Sequence, residues 1–283
     1  ALEATEEERR AIYEDKWQEG GSISYLFAYK DLLLNKDAND TASDFVRNKI
    51  RATVNDPNTA ELLCPDNHPI GTKRLILDSH YYEIFNQSNV KLVDVKSAPI
   101  QEITPNGIKT TESEYQLDAI AFATGFDAMT GAIKEIDVRV DGGTTIEEQW
   151  DSGPRTYLGL MVAGLPNMFM ITGPQSPGVK SQMILSIEWH INWVANCLSY
   201  MRDNNHTRVA AEVKAQQQWV DHVREVADST LYPLANSWYM GANIPGKARV
   251  FMPYVAGVEA YTKECNRVTQ NGYQGFEFST NIS

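Results

Sequence analysis

The run Ala119-Ile120-Ala121-Phe122-Ala123, ending in Thr124-Gly125-Phe126-Asp127, constrains the fold of this chain more than any other segment. An unbroken apolar run of strand length has no polar face to turn to water, so it belongs in a sheet covered on both sides. The small-residue exit is typical of α/β sheets, which bind ligands beyond the carboxyl ends of their strands. Met168-Phe169-Met170-Ile171 repeats the pattern and runs into Thr172-Gly173-Pro174. Val90 to Val95 alternates like a strand, and Pro105-Asn106-Gly107 reads as a turn. The expected class is α/β.

Helices precede and follow this strand region. Residues 1–65 read as helical: Thr5-Glu6-Glu7-Glu8 is a capping-type start, and Ile12, Trp17, Phe45, Ile50 and Val54 supply apolar positions at near-helical spacing. Gly20-Gly21 breaks the first helix, Asp37 to Val54 forms another, and Pro65 and Pro69 bound a loop. A long helix is expected from Ser181 to about Arg202, with Ile184, Ile187, Ile191, Val194, Leu198 and Met201 on one face. A second is expected over about 209–228. The tail from Trp238 is rich in Gly, Pro and aromatic residues, a composition that suits packing.

A net charge of −12 over 283 residues argues against nucleic acid or an anionic membrane as partner, since either calls for clustered Lys and Arg. No apolar run is long enough to span a bilayer. The acidic N-terminus is unlike a signal peptide, so a cytoplasmic location is expected. Cys64, Cys197 and Cys265 are odd in number and far apart, and neither they nor the five His have metal-ligand spacing. No metal site is expected. The chain opens on Ala1 rather than Met, which fits a piece of a longer protein, and it contains no GxGxxG.

Four segments carry candidate chemistry. Lys73-Arg74 follows Ile70-Gly71-Thr72, a tight loop ahead of the aromatic run Tyr81 to Asn86. A Lys offers a flexible point charge and an Arg a rigid planar fork, which suits a polyanion and a developing negative charge respectively. Thr124-Gly125-Phe126-Asp127 is the second, where Gly lets backbone approach a cofactor. The third is Thr172 to Ser181, a proline-stiffened loop set before a helix N-terminus with its unpaired N–H donors. The fourth is Trp238 with Gly241-Ala242-Asn243-Ile244-Pro245-Gly246-Lys247.

In this order and at these separations the four segments resemble the C-terminal half of a Baeyer–Villiger monooxygenase, a class B flavoprotein. The resemblance spans nearly every residue from Glu6 to about Phe278. It implies two dinucleotide-binding, Rossmann-like domains, both incomplete here: residues 1–65 as a helical insertion of the NADP domain, 66–128 as the rest of that domain, and 129–283 as the C-terminal part of the FAD domain. It implies FAD and NADP(H) as cofactors and conversion of ketones with O2 to esters or lactones through a flavin peroxide. Arg74 is then the catalytic residue that stabilises negative charge, and Lys73 contacts the NADP 2′-phosphate. Thr124, Gly125, Phe126 and Asp127 link the two domains beside the cofactors, and Gly173 and Pro174 lie by the isoalloxazine. Ser176, Gly178, Val179, Lys180 and Met183 line the ketone pocket. Trp238 bonds the NADP ribose, with Asn243 and Lys247 in the same motif. The partner implied is the N-terminal half of the same enzyme. Two alternatives stay open: a class B monooxygenase oxidising nitrogen or sulfur, and an inactive fragment that needs an N-terminal partner chain.

Overall fold

A computed structural model describes residues 1–140, 142–178 and 181–280. The first third is helical: α1 (Glu6–Glu19), α2 (Ser22–Leu26), α3 (Lys36–Thr53) and α4 (Pro57–Leu63). Each boundary has a local cause. Thr5 and Glu8 form a reciprocal capping box on α1, Gly20 and Gly21 end it at positive φ, and the Asn35 and Asp56 side chains cap α3 and α4. Tyr13, Tyr25, Leu32, Ala38, Ala42 and Ile70 make the core of this unit.

A short 3₁₀ turn at Glu83–Asn86 leads to a three-stranded antiparallel meander, β1 (Ile100–Thr104), β2 (Gly107–Thr110) and β3 (Glu114–Gln116). The turn read at Pro105-Asn106-Gly107 joins β1 to β2, with Thr104 opposite Gly107. Small helices α5 (Gly131–Lys134) and α6 (Ile146–Gln149) follow, then the main body. That body consists of α7 (Met183–Asp203), β4 (Arg208–Ala211), α8 (Val213–Asp228), α9 (Val258–Gln270) and β5 (Phe276–Ser279), with β4 and β5 paired antiparallel. Buried residues recur at helical spacing on α8 (Ala215, Trp219, Val223, Ala227) and α9 (Tyr261, Cys265, Val268). With Trp193, Cys197 and Met201 of α7 all of these but Ala227 close the largest core over β4 and β5. A third cluster, Leu33, Ala227, Tyr232, Tyr239, Met240, Phe251 and Val255, joins the helical unit to this body. The architecture is α/β in the coarse sense that helices and small sheets share the cores.

Three expected strands are not formed. Val90–Asp94, residues 119–127 and Met168–Met170 belong to no sheet, and every sheet among the described residues is antiparallel. A strand exists through its ladder, and here no neighbouring strand lies beside these runs. Phe122 is 70 % exposed and Phe126 85 % exposed, where burial on both faces was expected. The long helix agrees in extent, but its buried face is turned from the expected apolar stripe, the two sharing Met201. Ser186, His190, Trp193, Cys197 and Met201 are buried, whereas Ile184, Ile191 and Leu198 are at least half exposed. All three cysteines are buried free thiols. Among the described residues no helix is long and apolar enough to cross a membrane.

Candidate active site

The Lys73-Arg74 loop is set by a residue inside α3. Asn39 is wholly buried; its amide donates to the carbonyls of Leu32 (2.7 Å) and Ile70 (2.9 Å) and accepts from Ile70 N–H (2.9 Å) and the Ser43 hydroxyl (3.2 Å). All four amide valences are met, so the loop is held by a side chain that cannot bond elsewhere without loss. The turn then closes through Thr72, whose N–H and hydroxyl both reach the Pro69 carbonyl. Gly71 has φ +84 and lies against Leu26, where a Cβ would come within 2.6 Å of Leu26 Cδ2. Only glycine fits on both counts.

Arg74 is an exposed residue, yet it lines a small cleft with Lys73, Leu26, Phe27, Tyr232 and Tyr239. Burial pushes the Tyr239 phenol up, and the neighbouring Arg74 guanidinium, by charge and by a hydrogen bond, pulls it part of the way back. Thus Arg74 meets the residue that follows Trp238. Trp238 is half-buried and packs on the Tyr239 ring, with centroids 4.1 Å apart.

The 124–127 segment meets the tail. Lys247 Nζ forms an ion pair with Asp127 and donates to the Ala128 carbonyl at 2.8 Å, while the Asn243 amide donates to the Phe126 carbonyl at 3.0 Å. Thr124 and Gly125 are exposed, and Gly125 has φ +89.

The third segment is the most tightly bonded. Gln175 is buried at φ +69; its side chain accepts from the N–H and hydroxyl of Thr156 (2.9 and 2.8 Å) and donates to the Pro154 carbonyl (3.1 Å). Its backbone N–H donates to Met252 O at 2.6 Å, and Met252 N–H donates to Tyr239 O at 2.9 Å. The Trp219 indole N–H donates to the Gln175 carbonyl, and Tyr254 N–H to the Ser176 carbonyl. Gly173 and Pro174 are buried in this network. The Ser176 hydroxyl is also buried and bonds the Gly173 carbonyl, so this residue offers its turn geometry rather than a free hydroxyl. Gly178 is half-buried and Met183 exposed at the start of α7. Val179 and Lys180 lie outside the described residues.

Segment 237–254 is therefore the common partner. Arg74 reaches it at Tyr239, Asp127 at Lys247 and the 173–177 loop at Met252 and Tyr254. Sequence reasoning missed Asn39, Gln175 and Tyr239, which carry these joints. A Gln between Pro174 and Ser176 in a stiffened loop was the one available signal. Among the described residues no group of three His, Cys, Asp or Glu could hold a metal ion.

No family model matches the sequence. Curated relatives do. A Baeyer–Villiger monooxygenase of Pseudooceanicola batsensis is 42 % identical over 95 % of this chain and 49 % of its own length. Cyclopentanone 1,2-monooxygenase of a Comamonas strain is 41 % identical over 99 % of this chain and 51 % of its own length. The chain is a homologue of the Baeyer–Villiger monooxygenases. It spans about half the length of the curated relatives it matches, in keeping with a C-terminal half. Solved structures are similar as well: a steroid monooxygenase bound to NADP (TM-score 0.91, 45 % identity, 99 % of this chain and 53 % of that one), and the OTEMO complex with FAD and NADP (TM-score 0.94, 39 % identity, 98 % and 51 %). A phenazine N-monooxygenase of Lysobacter antibioticus is also similar, at 35 % identity over 98 % of this chain and 51 % of its own.

Proposed function

We propose that this chain is the C-terminal portion of an FAD- and NADPH-dependent monooxygenase that converts a ketone to an ester or lactone with O2. The observation that carries the reading is the meeting of the other three motif segments on 237–254, which holds the fourth, through Tyr239, Lys247 and Met252. The surroundings also suit bound cofactors. The Ser237 and Thr130 hydroxyls are buried without a partner among the described residues, beside Trp238 and the 124–128 segment. Tyr29 and His206 carry orphaned atoms of the same kind elsewhere in the fold, and each calls for a partner that the described residues do not supply. Apolar side chains next to the motifs, among them Ile76, Phe122, Phe126 and Ile184, stand exposed. Large apolar side chains exposed beside the motifs are the kind of surface that a bound group or a partner covers. We assign that cover to the flavin and to an N-terminal half of the same enzyme. The finer domain division, with residues 1–128 in an NADP domain and 129–283 in an FAD domain, belongs to the same proposal.

When bound, the two cofactors supply hydride transfer and activation of O2. The residues of this chain bind and orient. Lys73 meets the extra phosphate of NADP as a point charge, and Trp238 holds the dinucleotide. Arg74 faces the reacting centre with a fixed positive fork, its head group steadied by Tyr239. A donor so placed is typically worth about 3–4 kcal/mol of transition-state stabilisation, because it is aimed before charge develops. Gly173, Pro174, Ser176, Gly178 and Met183 shape the ketone side.

The test uses the chain continuous with its flavin-binding half, supplied with cyclopentanone, NADPH and O2. Lactone formation is expected, with R74A reduced by about 100- to 1,000-fold. Oxidation of an aromatic N-heterocycle with no lactone from any ketone would favour the second reading, for which the phenazine N-monooxygenase is the precedent.

A further inference from the structure

A run of hydrogen bonds with only one possible direction lies beneath the Thr172–Pro177 loop. The Thr172 backbone N–H can only donate, so His190 Nδ1, 2.8 Å away, is the acceptor. The ring proton is therefore on Nε2, which is 2.9 Å from the Tyr261 hydroxyl. Tyr261 in turn donates to the Leu158 carbonyl at 2.6 Å. His190 and Tyr261 are buried on α7 and α9, and burial lowers the His190 pKa to about 4. The ring is thus neutral near pH 7, and its tautomer is set by the one partner that cannot accept.

Both ends of this run are strained. Thr172 has φ +52 and Leu158 φ +58, left-handed values that a β-branched or bulky side chain adopts only when its surroundings force it. Their neighbours are in direct contact. A Cβ on Gly173 would lie 2.5 Å from the Gly159 carbonyl, and one on Gly159 would lie 2.6 Å from Ser176 Cβ. The two strained residues are thus the two sides of one joint, and the His190–Tyr261 pair spans it from below. Resting on the flavin monooxygenase reading above, we propose that His190, as the Nε2–H tautomer and acting through Tyr261, is a positioning residue that fixes Leu158 and Thr172 and so sets the Gly173–Pro177 loop against the flavin ring. A histidine that merely fills space would be replaced equally well by any side chain of its volume. A positioning histidine needs an acceptor on one side and a donor on the other, which glutamine also supplies.

Amide hydrogen exchange at Thr172, followed by NMR on this chain, is the direct test. H190F is expected to speed exchange by about 10- to 100-fold, the effect of stripping one buried donor of its partner, and H190Q to stay near the wild-type rate. Y261F removes one oxygen and no packing, and is expected to speed exchange as well, because the ring loses the acceptor that orients it. In the full-length, FAD-loaded protein H190F is expected to shift the flavin absorption band and lower kcat at unchanged KM for NADPH, and H190Q to restore both. The proposal is overturned by unchanged Thr172 exchange in H190F or Y261F, by H190Q failing alongside H190F, or by an imidazole ¹⁵N spectrum with the proton on Nδ1. If the full-length protein oxidises no ketone, the Baeyer–Villiger reading fails by itself, and the exchange and flavin-spectrum readouts still decide the role of His190.

Discussion

Lys247 and Asp127, 120 residues apart in sequence, close the 241–248 loop onto the 124–128 segment. The Lys247 side chain is only 8 % exposed, and its second bond goes to the Ala128 carbonyl. An ammonium held this far from water depends on its partners, and they on it. We predict that K247M destabilises the chain by about 1–3 kcal/mol and D127N by less, since Asn keeps an acceptor. The double variant should fall short of the sum, because both act on one contact. Urea denaturation of the four proteins checks this, and additive losses would sink it.

Asn39 gives a second, independent prediction. Replacing it by Ala strands the Leu32 and Ile70 carbonyls and the Ile70 N–H inside the α3 core. The expected cost is about 2–4 kcal/mol. N39D should be no better, since a carboxylate cannot donate to either carbonyl. A melting curve for N39A that overlays wild type would show that the Ile70–Arg74 loop is held by something else.

How much of this was legible in the sequence depends on whether the responsible force was local. The α1 capping box, the Gly20-Gly21 break and the Pro105-Asn106 turn came out as read, because each is decided within a few residues. The extent of α7 was also close and the end of α8 came out as read, since apolar periodicity survives tertiary packing, but residues 209–211, expected in that helix, belong to β4. The strands at 90–95 and 119–123 failed for the opposite reason: a ladder needs a neighbour, and none lies beside them among the described residues. The α7 stripe failed on direction. Ile184, Ile191 and Leu198 look like a core face by hydropathy, but Trp193, Cys197 and His190 make the buried one. At the site, the motif residues were legible and their connectors were not. Tyr239 and Gln175 matter through bonds to residues up to 165 positions away, and nothing in local composition marks such bonds.

Arg74 and Tyr239 are testable through titration of the phenol. Burial raises the Tyr239 pKa, and the Arg74 charge and hydrogen bond oppose that rise. Removing the guanidinium leaves burial acting alone, so R74Q should push the Tyr239 titration further up. Tyrosinate absorbance of R74Q against wild type, with Y239F to identify the band, measures the shift. A downward shift, or none, would mean that the two side chains are not in contact in solution.

His190 should leave a mark on acid stability. Its pKa falls from an ordinary 6.5 to about 4 in the folded chain, through burial alone. Between those values the unfolded chain takes up a proton that the folded chain refuses, so stability drops as pH falls from about 6.5 towards 4 and this contribution levels off below. The total is on the order of 3 kcal/mol. Lowered carboxyls such as Glu8 and Asp56 act only at the lower end, because their unfolded values lie near 4. In the window from pH 6.5 to 5 the carboxyls are silent, but His68, whose pKa is also lowered by burial and by the Lys73 charge, adds a loss of the same sign, so His190 is read from the difference between H190Q and wild type. Denaturant midpoints of H190Q should be flatter across that window than those of wild type, and parallel curves would refute the assignment.

Flavin retention follows from what the 283 residues do and do not contain. They bring together a cationic pair, a rigid Gly-Pro loop and a half-buried Trp, but contain no GxGxxG, the turn that holds a pyrophosphate at a helix N-terminus. Side-chain contacts to the ring end alone leave most of a large, charged cofactor in water. The isolated chain is therefore expected to purify colourless and to take up no FAD on dialysis. Adding an N-terminal half should bring yellow colour and quench flavin fluorescence, and should also bury Phe122, Phe126 and the α7 stripe, seen as reduced binding of an apolar dye. A yellow preparation of this chain alone would place the pyrophosphate site within it and undo the division proposed for the two domains.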